Sequence, residues 1–136
     1  MAIGIRVGND TFEIGTPSFL KSFFSTIFVR LEAEDWGSRF PLLMTEFYLG
    51  TLSYAHADAA IRELSKVRSG LEARPPSDVV WDFEDRVARA PWGDERAEDI
   101  TNLSEEFVTS DGKNLIDVIS AAFELAKEKG RDAVII

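Results

Sequence analysis

Asp82-Phe83-Glu84-Asp85 is the segment whose residue types and spacing come closest to catalytic chemistry. In an extended strand, residues two apart point to the same side. Asp82 and Glu84 would then converge, with Trp81 and Phe83 facing the other way. Two converging carboxylates can hold Mg²⁺, as in metal-dependent nucleases and phosphatases. Such an enzyme also needs lysine or arginine to grip phosphate and offset developing charge. Residues 78–111 supply three bases against eleven acids, which weighs against that chemistry. A strand with one solvated face shows the same alternation. A carboxylate pair beside Trp36, Trp81 or Trp92 would also suit a glycosidase, but a chain this acidic offers many such pairs by chance.

The remaining enzyme constellations are missing. His56 is the one histidine and there is no cysteine, so neither a histidine-based zinc site nor a Cys–His pair can be assembled. A serine triad would have to recruit His56, and no Gly-x-Ser-x-Gly elbow occurs. The glycines are scattered, with no phosphate-cradling run ahead of a helix. A pI near 4.6 and the absence of a Lys/Arg cluster disfavour nucleic acid as a partner. No helix pairs an apolar face with a basic one, which disfavours membrane binding.

The charge is concentrated in one place. Of the formal −9, residues 78–111 carry −8, from eleven acids and three arginines. A field of that density draws in a basic partner and repels nucleic acid. It also does no more than keep a surface soluble in many proteins. Inside this stretch, Ala90-Pro91-Trp92-Gly93-Asp94 fixes the backbone on both sides of an indole. That indole either anchors the loop internally or is offered to a partner. Trp36-Gly37-Ser38-Arg39-Phe40 poses the same choice and leans towards an internal role.

The elements that must position these groups are legible in outline. Ile3, Ile5 and Val7 alternate as a strand up to Gly8-Asn9-Asp10, and Thr11 to Ile14 is a second extended piece. Thr16-Pro17 opens a helix whose apolar stripe is Phe19, Leu20, Phe23, Phe24, Ile27 and Leu31. Pro41 opens a shorter helix to about Tyr48, stopped by Gly50. Ser53 caps a third, with Ile61, Leu64, Val67, Arg68 and Leu71 along one side, and Pro75-Pro76 ends it. Val79 to Glu84 reads as a strand, Ala90 to Asp99 as a polar loop, Phe107-Val108-Thr109 as extended, and Ser110 to Lys113 as a turn. Leu115, Val118, Ile119, Ala122 and Leu125 mark a last helix ending at Gly130. Ala133 to Ile136 is an apolar strand, either interior or an edge open to a second copy.

The 136 residues therefore read as one α+β domain: a small mixed or antiparallel sheet with about four helices packed mainly on one face. The absence of cysteine, of a signal-peptide pattern and of a long apolar run sets cytoplasmic residence as the expectation.

Several motifs, taken in order, resemble a known family. They are Met1-Ala2-Ile3-Gly4-Ile5-Arg6-Val7-Gly8, Ile14-Gly15-Thr16-Pro17-Ser18-Phe19, Trp36-Gly37-Ser38-Arg39-Phe40-Pro41, Pro75-Pro76, Val80-Trp81-Asp82, Pro91-Trp92-Gly93-Asp94 and Phe107-Val108-Thr109-Ser110-Asp111-Gly112. Together they resemble the immunity protein 70 family of bacterial polymorphic toxin systems over nearly the whole chain. The resemblance implies a non-catalytic inhibitor with no cofactor or metal. Such proteins are encoded beside a secreted toxin and bind its C-terminal toxic domain inside the producing cell and its kin. It transfers no residue roles. Many toxic domains are nucleases with basic clefts, and an acidic inhibitor can place carboxylates where phosphates would lie. The expected partner-binding residues are Asp82, Glu84, Asp85, Trp92, Asp94, Glu95, Glu98, Asp99, Glu105 and Glu106. The competing reading is a small metal-dependent hydrolase built on Asp82 and Glu84.

Overall fold

Strand β1 (Ile3–Val7) turns through Gly8 and Asn9 into β2 (Asp10–Gly15), and the Gly8 φ of 60° is one that glycine adopts without penalty. The two strands run so close at one end that a Cβ on Gly4 would lie 2.5 Å from the Phe12 carbonyl oxygen. β4 (Ala133–Ile135) lies antiparallel between β1 and the short β3 (Thr51–Leu52), giving the order β2-β1-β4-β3. The apolar terminal segment is thus an interior strand and not a free edge. Residues 2–32, 35–85, 87–89, 91 and 98–136 are described by this structure, a computed structural model.

Four helical segments accompany the sheet, which makes the fold α+β. α1 (Pro17–Arg30) begins where Thr16 accepts the Phe19 N–H and proline fills the first position. A π-helical turn spans Leu42–Phe47, and its wider loop is closed by Tyr48 N–H donating to the Leu43 carbonyl. α2 (Ala57–Glu72) follows a 3₁₀ turn at Tyr54–His56 that Ser53 caps. α3 (Leu115–Lys129) starts at the Asn114 cap and ends at Gly130 in the left-handed region, φ 63°. α3 lies over β1 and β2, and α2 packs on α3. Phenylalanines knit the layers: Phe47 meets Phe123 edge-on at 5.0 Å and Phe23 meets Phe107 at 5.3 Å. Arg68, expected along the apolar side of α2, instead pairs at its margin with Asp117 of α3.

The segment from Val79 to Glu84 is not the strand its residue types suggested. A 3₁₀ turn at Pro76–Asp78 leads into an irregular run laid against α1. Its peptide groups find partners on that helix. The Ser22 hydroxyl donates to the Val80 carbonyl (2.8 Å), Val80 N–H donates to Thr26 Oγ1 (3.0 Å), and Phe83 N–H donates to Ser25 Oγ (3.1 Å). All three hydroxyl side chains are fully buried. With its backbone satisfied this way, the segment needs no sheet neighbour. Arg30 Nε adds a bond to the Asp78 carbonyl (2.8 Å), and Arg74 pairs with the Asp78 carboxylate (3.2 Å). Phe107-Val108-Thr109 contributes only an isolated bridge, Val108 to Asn114, closing the expected turn.

Two consequences can be measured. Thr26→Val keeps the side-chain shape but leaves the buried Val80 N–H without its acceptor. It should cost about 1–3 kcal/mol, seen as a lower urea midpoint; an unchanged midpoint would show that the hydroxyl does not hold the segment. Glu63 of α2 accepts N–H bonds from Leu42 (3.3 Å) and Leu43 (3.0 Å) at the start of the π-helical turn, while burial pushes its carboxyl above the ordinary value. The folded state therefore favours protonated Glu63. Its contribution is present below pH 4.5 and is lost as pH rises through the raised folded value. The wild-type melting temperature should fall relative to that of Glu63→Gln as pH climbs from 4 to 7, and parallel curves would contradict this.

Candidate partner-binding surface

The docked segment sorts its residues by side. Val80 and Phe83 are held by α1, and Phe83 turns inward against Phe28 (5.7 Å between centroids) and Trp36 (4.8 Å). Asp82 and Glu84 come together, though not on a strand. They converge on Lys21 of α1, whose ammonium lies 2.9 Å from Glu84 Oε1 and 3.4 Å from Asp82 Oδ1. The hydrogen bond to Glu84 leads in raising the Lys21 pKa, against a smaller opposing cost of burial. The same ammonium sits 5.5 Å above the Phe83 ring. A lysine thus occupies the place a metal ion would take. Among the described residues, no group of three or more His, Asp or Glu is arranged to hold one.

The other expected contact residues fall into distinct settings. Asp85 is exposed, and its carboxylate accepts the Val87 N–H at 3.3 Å. Glu98 and Asp99 are exposed and have no ion-pair partner among the described residues. Glu105 is half-buried and folds back on its own turn. It accepts from the Thr101 N–H (2.9 Å) and hydroxyl (2.8 Å), bonds that draw its carboxyl below the usual range. The 3₁₀ turn at Leu103–Glu105 packs against the one at Pro76–Asp78. Glu106 departs from the other expected contact residues in being buried, 5% exposed. Trp92, Asp94 and Glu95 lie outside the described residues.

The two residues weighed for other roles both make internal contacts. His56 Nδ1 lies 2.8 Å from Glu46, which also accepts the Ser53 N–H and so braces the start of α2. Trp36 is half-buried, and its indole N–H donates to the Met44 carbonyl. Its ring also meets Phe28 at a tilt (5.1 Å) and Tyr48 edge-on (4.8 Å). Sequence reasoning missed Lys21, because a single lysine within an apolar helix stripe gives no sign of what it meets 61 positions later at Asp82. It also missed Leu49, 81% exposed beside Gly50. A large apolar residue in a turn was the available signal.

No curated protein and no solved structure matches the chain. The family model described as Immunity protein 70 matches residues 5–135, nearly end to end, and the chain belongs to that family.

Proposed function

We propose that this protein neutralises a toxin domain by occupying its active cleft, without catalysing a reaction itself. Membership of an immunity-protein family supports a protein partner. The observation that carries the mode of binding is the concentration of charge, −8 of −9 within residues 78–111, on segments that expose Glu84, Asp85, Glu98 and Asp99. Carboxylates presented on an irregular, side-chain-anchored surface suit a basic cleft of the kind that holds phosphate. A nuclease domain is the target such a surface fits best. The cytoplasm of the producing cell is where that protection is needed. No described helix is long and apolar enough to cross a membrane.

Charge acts first on encounter, so the test is kinetic. The triple variant Asp85→Lys, Glu98→Lys, Asp99→Lys leaves the Lys21 pair and the buried hydroxyls intact. Binding to the toxin domain encoded beside the gene, followed by stopped-flow at several salt concentrations, should show association slowed at least tenfold at low ionic strength. The salt dependence should be flattened. A folded triple variant that associates as fast as wild type, with the same salt dependence, would refute the acidic surface as the docking face.

A further inference from the structure

Beside the acidic segment lies a pocket of different character. Phe28, Trp36, Tyr48 and Phe83, with Met44 beneath, line an open hollow of about 420 Å³ whose walls are carbon almost throughout. One wall is the π-helical turn, an irregularity that proteins often keep at functional sites. Leu49 stands at the rim, 81% exposed, and also borders a second shallow and mainly apolar hollow with Leu20, Phe24, Ile135 and Lys21. The apolar surface therefore continues across Leu49 from one hollow to the other. Isolated exposed leucines are ordinary, but one set between two apolar hollows is the form of a contact site.

The rim supplies the chemistry of the occupant. Phe83 forms pocket wall, Lys21 lies 5.5 Å from its ring and is paired with both Asp82 and Glu84, and exposed Asp85 follows, so among the described residues of this segment carboxylates outnumber the cations near that wall. We infer that this pocket anchors a basic segment of the toxin domain, which inserts one large apolar side chain between flanking lysines or arginines. The inference rests on the toxin-binding reading and adds a division of labour to it. The carboxylates steer and speed the encounter. The aromatic pocket holds the complex once formed, as buried aromatic clusters ringed by polar groups do at other interfaces.

The two contributions separate in kinetics. Leu49→Ser removes exposed apolar surface without changing charge, and Thr45→Lys places a cation at the pocket edge from another exposed position. Surface plasmon resonance against the adjacent-gene toxin domain should show dissociation quickened about tenfold or more for each. For Leu49→Ser, the association rate and its salt dependence should stay as in wild type. Unaltered dissociation for both folded variants would overturn the pocket while leaving the acidic docking surface standing. Failure of the wild type itself to bind would overturn both. Sedimentation of the protein alone provides the remaining arm: self-association abolished by Leu49→Ser would assign the pocket to a second copy of this chain and overturn the inference.

Discussion

Three buried hydroxyls on α1 set the shape of the surface on which everything functional depends. A segment that joins no sheet still has peptide N–H and C=O groups to satisfy, and burying them unpaired costs more than most side-chain contacts return. Ser22, Ser25 and Thr26 meet the groups of Val80 and Phe83 from inside the core. Among the described residues, no buried side-chain polar atom lacks a partner. The arrangement places polar atoms in an apolar helix face, yet it ties down the peptide groups of a loop that has no sheet neighbour. Fixing the peptides at positions 80 and 83 also fixes the direction of what lies between and beyond. Phe83 must enter, and Asp82 and Glu84 must leave.

Side-chain anchoring thereby produces the in-and-out alternation that a strand produces by its pleat. The difference matters for use. A strand would bury its carboxylates' backbone in a ladder and present them on a flat face, whereas this loop carries acids and an aromatic wall round a corner. Lys21 tempers the pair at Asp82 and Glu84 and lies over the Phe83 ring, so one lysine touches both the charged and the apolar halves. Surface ion pairs of this kind contribute little to stability. Lys21 does more by holding two carboxylates in a fixed place.

The regular parts of the fold were legible because their signals are local. Thr16-Pro17, the Phe/Leu/Ile stripe of α1 and Gly130 carry helix boundaries within a few residues of chain. The extended character of β1, β2 and β4 was equally plain from alternation and apolar content. β3 was missed because two residues hold too little pattern to register. The segment at 79–84 was misread for a different reason. Val, Trp and Phe favour a half-buried surface, and nothing local distinguishes a sheet neighbour from a helix bearing serines 58 positions away, the separation between Ser22 and Val80. Glu106 was grouped with the exposed acids because charge alone cannot tell which of two adjacent glutamates is buried. The meeting of Asp82 and Glu84 on Lys21 was not legible, because it depends on a helix about sixty positions earlier in the chain.

The position of β4 bears on how the molecule is made. It is bonded on one side to β1 and on the other to β3, and its residues pair with segments at both 5–7 and 51–52. Until translation has passed residue 135, neither neighbour has the strand that separates them, and both keep bare edges facing the same gap. The sheet is closed by a late arrival spanning most of the sequence, the type of contact that slows assembly. A growing chain therefore carries its helices and its β1–β2 hairpin well before it carries a finished sheet, and in that interval the unclosed edges are the surfaces most open to mispairing.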